Sequence, residues 1–310
     1  AGADAVKFQN FIADEIILPK APKSKYHIET TGSDKKQTWM QLLKTQEISR
    51  EMLDELIEYS NKKRIIFLST PYDEKSADLL EEFDMPAYKI ASTDTNNFKL
   101  LEHISRKNKP IILSTAMCTE QEVISSVNFL KNKGVKQLAV MHCTGSYPTQ
   151  SKDSNLKVIN KFNNLFSKKC LIGYSDHTEN FINPVVATSL GVNLYEKHFT
   201  ISKKLKGPDH RMSLSPKELK RTVNLIRQTE IILGNDNKRV LNSEKENRKK
   251  LRKSIVTVFN LKKNQKILFK HLTAKRPGYG IPPTDFKKII GKRTTVNIKA
   301  NKILNKKMFK

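Results

Sequence analysis

Cysteine, tryptophan and acidic residues are all scarce in this chain, with three Cys, one Trp and 31 Asp+Glu among 310 residues. The cysteines, Cys118, Cys143 and Cys170, are odd in number and share no ligand-like spacing. That excludes a disulfide framework and predicts reduced thiols in a cytoplasmic protein. No apolar run approaches the roughly 20 residues of a membrane helix and no signal-peptide pattern is visible, so no membrane partner is expected. The shortage of acid leaves 57 Lys+Arg unbalanced and the chain at +26. Such an excess suits a nucleic-acid binder, which gains by releasing counterions from phosphates. Here, however, the lysines recur in short clusters along the chain ("KNK", "NKK", "SKK", "NKKMFK"). They come without zinc-finger spacing, aromatic RNA-binding signature or basic heptad helix. The expectation is a lysine-rich surface with no specific nucleic-acid partner and a local share of positive charge for an acidic small substrate.

Hydrophobic residues at 37% allow a core, and the length suits one large domain with a small one. Short apolar runs ending in small polar residues recur at 5–9, 64–70, 87–92, 110–115, 138–144, 171–176 and 194–200. Between most of them lie helix-period segments, among them "QLLKTQEISREMLDELIEYSNKK" and "EVISSVNFLKNKG". Thr119 with Glu122, and Ser215 with Pro216 and Glu218, have the form of helix starts. Strands alternating with helices predict a parallel sheet. The pattern points to a (β/α)₈ TIM barrel, whose chemistry gathers at the C-terminal ends of its strands. Seven strands are one short, so the expectation is a barrel whose first strand is missing from this sequence; an open doubly wound sheet is the alternative. Near residue 235 the pattern breaks. Residues 1–235 are assigned to the barrel, 236–250 to a linker or exposed helix, and 251–310 to a small, mostly-β domain.

One strand poses the chemical question. In "LYEKHFT", Leu194, Glu196, His198 and Thr200 share one face, and Tyr195, Lys197 and Phe199 the other. Neither face is simply apolar. The other strand ends supply Lys7 and Gln9; Ser69 and Thr70; Lys89, Ser92 and Asp94; Ser114 and Thr115; His142, Thr144 and Tyr147; and Ser175, Asp176 and His177. Asp209 follows in the next loop. Two lysines with several hydroxyls can cradle a phosphate and a carboxylate. Two histidines on neighbouring strands can share a divalent cation, and a carboxylate beside it suits proton transfer at a carbonyl.

In order, "GADAVKFQ", "STPYD", "PAYKIAS", "PIILSTAM", "HCTGSYPT", "IGYSDHT", "EKHFT" and "GPDH" resemble the sialic acid (nonulosonate) synthase family. The tail "AKRPGYGIPP" resembles its C-terminal SAF, or antifreeze-like, domain. The resemblance implies a transferase that condenses phosphoenolpyruvate with an N-acyl mannosamine-type aldose to give a nine-carbon 2-keto acid and phosphate. Carried over, His177 and His198 match ligands of Mn²⁺ or Mg²⁺. Lys7, Thr70, Lys89, Ser92 and Ser175 match positions around phosphoenolpyruvate. Gln9, Tyr147, Glu196 and Asp209 match sugar-facing or proton-handling positions. Glu196, Asp94, Asp209 and Lys89 are the catalytic candidates. Arg276 matches an arginine that one subunit inserts into the other's site, implying a domain-swapped homodimer.

Three departures stand out. The family's Glu-x-Gly-x-Asn-His motif does not occur in this sequence, Asp94 stands where some members have glutamate, and Gly145 where many have asparagine or serine. The rivals are another phosphoenolpyruvate–aldose synthase, making an eight-carbon keto acid, and an inactive relative that binds polyanions. The SAF-like tail argues against the first.

Overall fold

The computed structural model describes residues 1–310. Seven strands form one sheet in chain order: β1 (Ala5–Asn10), β2 (Ile66–Pro71), β3 (Tyr88–Ile90), β4 (Ile111–Ser114), β5 (Leu138–Cys143), β6 (Leu171–Asp176) and β7 (Leu194–Lys197). Every neighbouring pair is parallel. Helices Glu74–Glu82, Phe98–Ser105, Glu120–Asn132, Lys157–Phe166 and Asn183–Ser189 connect successive strands, and Pro216–Leu233 follows β7. β1 pairs only with β2 and β7 only with β6, so the sheet does not close. It curls nonetheless, because Lys7 Nζ on β1 lies 3.8 Å from Glu196 Oε1 on β7. The architecture is a TIM-like barrel of seven strands, open between β1 and β7.

Alternation along the strands explains the layers. Outward residues Tyr88, Ile90, Ile111, Leu113 and Val140 are buried against Leu53, Leu80, Leu101, Ile104 and Leu130 of the surrounding helices. Each such side chain contributes about 1.5–3 kcal/mol of transfer free energy. The inward positions carry the polar residues. Gly173 is required on that inner face, since a Cβ there would stand 2.9 Å from Met141 Cγ and 3.0 Å from the Leu194 carbonyl.

The helix starts at Thr119 and Ser215 are capping boxes, each with its side chain and the glutamate three residues on bonded reciprocally. The long periodic segment before β2 is two helices, Trp39–Lys44 and Arg50–Lys62. Ser49 breaks it, its hydroxyl capping the second helix at the Met52 N–H. β3 is shorter than its apolar run because Ser92–Asp94 turns into a 3-10 helix.

The chain divides into two compact units, Ala1–Gly234 and Asn235–Lys310. In the second, the polar stretch after residue 235 holds a 3-10 turn, Asn242–Glu244, and a helix, Lys245–Leu251. Regular strand is sparse there: β8 (Ser254–Thr257) pairs antiparallel with β9 (Leu272–Lys275), and isolated bridges such as Leu261–Ile298 extend the pairing. Ile255, Leu261, Ile267, Ile289, Ile298 and Leu304 form its small core. Charge is concentrated here rather than scattered: residues 252–310 hold 17 Lys and Arg against one acidic residue, Asp285. Across the chain, no helix is long and apolar enough to cross a membrane.

Candidate active site

β6 and β7 run in register, with Ser175 beside Glu196 and Asp176 beside Lys197. The first of these pairs points into the barrel. Ser175 Oγ donates to Glu196 Oε1 at 3.2 Å, and Lys89 Nζ reaches the same oxygen at 3.5 Å. Lys89 also donates to Ser114 Oγ at 2.6 Å, and Lys7 Nζ to Thr70 Oγ1 at 3.4 Å. Residues from β1, β3 and β6 thus converge on the β7 carboxylate, and Thr70 of β2 and Ser114 of β4 hold the two lysines. Burial alone would raise the Glu196 pKa, but Lys7 and Lys89, then the two histidines, outweigh it and hold the value at about 2. Burial lowers Lys7, although Glu196 opposes the shift.

His177 and His198 follow these strands, with ring centroids 5.4 Å apart. Nδ1 of His177 lies 2.8 Å from the Thr144 carbonyl oxygen, which can only accept. The proton therefore sits on Nδ1, and Nε2 presents its lone pair. Burial depresses both imidazoles, His198 to about 3 with help from the neighbouring His177 and Lys7. Two neutral imidazoles amid oxygen donors suit a divalent cation whose remaining ligands are water or substrate oxygens. No group of three or more His, Cys, Asp or Glu side chains converges to hold a metal by itself, so the protein's share would be these two nitrogens.

Asp209 Oδ2 lies 3.8 Å from His198 Nδ1, and burial raises its pKa. Tyr147 packs its ring against His177, centroids 4.3 Å apart. Lys7, Gln9, Glu196, His198 and Asp209 line a cavity of about 1790 Å³. Ser92 accepts from the Ala116 N–H at 2.9 Å and braces the ends of β3 and β4. Asp94 is turned to its own loop, where Thr93 and Asn97 donate to its carboxylate. Arg276 lies in the second unit, exposed, with Nε donating to the Leu251 carbonyl at 3.0 Å.

Two tyrosines complete the setting. Burial pushes the Tyr72 hydroxyl pKa well up, and the charges of Asp94, Asp209 and Glu196 add to the shift. Its place in "STPYD", just past β2, was the available signal. Tyr26 sits 5.9 Å from the Tyr147 ring and donates to the carbonyl of Pro208, next to Asp209. It belongs to a short helix, Lys25–Thr31, in a segment with no strand pattern to place it.

Comparison with known proteins bears on the family and the fold. Residues 1–238 match the NeuB family and residues 252–310 the SAF domain. The N,N'-diacetyllegionaminic acid synthase of Campylobacter jejuni is 38% identical over 306 residues, 98% of this chain and 90% of the relative. The pseudaminic acid synthase of the same species is 30% identical over 299 residues, covering 96% and 86%. The crystal structure of an N-acetylneuraminic acid (sialic acid) synthetase from Leptospira borgpetersenii, in complex with citrate, superposes with a TM-score of 0.68 at 31% identity, over 79% of each chain.

Proposed function

The chain belongs to the NeuB family and carries a SAF domain, and from that premise we propose that it joins phosphoenolpyruvate to the open-chain aldehyde of an N-acyl mannosamine-type sugar. The sugar is N-acetylmannosamine or a 2,4-diacetamido-6-deoxy analogue. The products are a nine-carbon 2-keto acid and inorganic phosphate. C3 of phosphoenolpyruvate forms the new bond to the aldehyde carbon, water adds at C2, and the C2–O bond to phosphate breaks.

The observation that carries this reading is geometric: Glu196 stands 3.8 and 3.5 Å from the Lys7 and Lys89 ammonium groups, while Asp209 stands 3.8 Å from His198. Glu196 is held ionised at about 2 by the lysines, whereas burial lifts Asp209. Such a split assigns an acid and a base. Asp209 gives a proton to the aldehyde oxygen as it becomes a hydroxyl, and Glu196 takes one from the water adding at C2. Lys7 and Lys89 hold the phosphate and carboxylate in a pocket where charge is poorly screened, with Thr70, Ser92 and Ser175 as hydroxyl partners. Gln9 and Tyr147 face the sugar. Asp94, tied to its own turn, shapes the β3 end rather than moving a proton. A Mn²⁺ or Mg²⁺ ion held by His177 and His198 would supply Lewis-acid polarisation of the aldehyde. Arg276 of each chain completes the sugar site of the other in a homodimer. Three unpaired cysteines favour the cytoplasm as its compartment.

Mass spectrometry of reactions containing the protein, phosphoenolpyruvate, Mn²⁺ and a panel of N-acyl mannosamine sugars tests the reading. The expected product has the mass of sugar plus pyruvate, with one phosphate released per product. Product from none of these sugars, but from a five-carbon aldose phosphate, would replace it with the eight-carbon chemistry.

A further inference from the structure

The second register pair of β6 and β7, Asp176 and Lys197, points away from the barrel interior and is buried. Side-chain exposure is 0% for Asp176 and 2% for Lys197, and Nζ lies 3.5 Å from Oδ2. Other outward positions are apolar, among them Ile90, Leu113, Val140 and Ile172, which share one row of the sheet. A buried ion pair is a poor source of stability, since desolvation offsets most of the attraction and apolar residues serve as well. Its value has to lie in the geometry it imposes.

That geometry is specific. Asp176 and Lys197 each immediately precede one of the two histidines, His177 and His198. Both also grip Thr178, the residue after His177. The Thr178 N–H donates to Asp176 Oδ1 at 2.8 Å, and Lys197 Nζ donates to the Thr178 carbonyl. The backbone on either side of His177 is therefore tied to the residue beside His198. Further donors fix the carboxylate: Tyr195 OH at 2.5 Å to Oδ2 and Tyr174 OH at 3.2 Å to Oδ1. Asn183 donates in turn to the Tyr174 hydroxyl at 3.0 Å. No rotation of Asp176 or Lys197 keeps all of these contacts.

We infer that Asp176 and Lys197 are positioning residues, a clamp behind the sheet that fixes the separation and aim of the His177 and His198 imidazoles. Their job is to let the two rings, which lie just past the last paired residues of β6 and β7, meet one divalent cation. This role presupposes the cation at His177 and His198 set out above, and two readouts separate the two claims.

The decisive variant is the double substitution Asp176→Asn with Lys197→Met, which removes both charges together and leaves neither stranded. It should keep its urea midpoint close to wild type. Its affinity for Mn²⁺ alone, by titration followed with electron paramagnetic resonance, should fall about 10–100-fold, the usual cost of losing support behind a metal ligand. kcat should fall while KM for phosphoenolpyruvate, held by Lys7 and Lys89, stays within about twofold. Lys197→Arg, which keeps the charge, should recover part of the Mn²⁺ affinity. A stable double variant with wild-type Mn²⁺ affinity overturns the clamp. If the wild-type protein binds no Mn²⁺, the cation reading fails, and the clamp is judged on metal-free protein by NMR. There the His177 Nδ1 proton, held on Thr144, should exchange faster in the double variant, and an unchanged signal overturns the clamp as well.

Discussion

Lys89 and Glu196 meet inside the barrel, Nζ 3.5 Å from Oε1, although their strands lie four places apart in the sheet. Lys89 is almost wholly buried, with 4% of its side chain exposed. With Lys7, its charge lets Glu196 remain a carboxylate in that setting. Replacing Lys89 with methionine should cut kcat/KM for phosphoenolpyruvate by about 10²–10³ and raise the Glu196 pKa from about 2. The circular dichroism spectrum should be unchanged. Full turnover in Lys89→Met would remove this lysine from the phosphate-holding role.

The histidines give a direct binding prediction. His198→Ala should lower Mn²⁺ affinity by at least about 100-fold, beyond the loss from an outer-shell change. Isothermal titration on the metal-free protein checks it. Affinity equal to wild type would show that the cation sits elsewhere.

Acid should destabilise the metal-free protein from the same place. The unfolded chain protonates His198 near its ordinary 6.5, whereas the folded protein resists until about 3. Between those values the unfolded state binds more protons, so stability is present above pH 6.5 and is lost as pH falls towards 3. One such group contributes a slope of up to about 1.4 kcal/mol per pH unit. Glu196 adds to it below 4.5, since its folded value is about 2. Urea midpoints measured from pH 7 to 4 should fall less steeply in His198→Gln than in wild type. Parallel slopes would assign the acid sensitivity to other groups.

Assembly can be read by complementation. An Arg276→Ala chain and a His198→Ala chain should each be inactive alone. Mixed dimers should regain one working site, because one barrel then has its histidine and receives an intact arginine. Verified mixed dimers without activity would show that Arg276 acts within its own chain or not at all.

The sequence made some of this legible and hid the rest for physical reasons. Period-two alternation places Glu196 and His198 on one face without any structure, and the polar ends of the apolar runs mark the mouth of the barrel. Alternation does not say what meets Lys197. Its partner Asp176 lies on the preceding strand, and only the parallel register puts the two side by side. Tyr26 was invisible for another reason. It sits on a seven-residue helix, and its contact with Pro208 joins two loops remote in sequence. The break at Ser49 is a local capping signal, but unbroken helical periodicity on both sides masked it. The unequal sharing of charge emerges only once the two units are separated.

The concentration of charge in residues 252–310 has a colloidal consequence. Residues 252–310 carry 17 Lys and Arg against one acidic residue, so each molecule presents a strongly cationic region to its copies. Like charge keeps the molecules apart, since +26 on every molecule repels its copies over a Debye length of about 10 Å at 0.1 M salt. Added salt shortens that reach to about 3 Å at 1 M. Solutions of this protein should therefore cloud as sodium chloride rises and clear on dilution, the reverse of the salting-in expected when opposite charges hold molecules together.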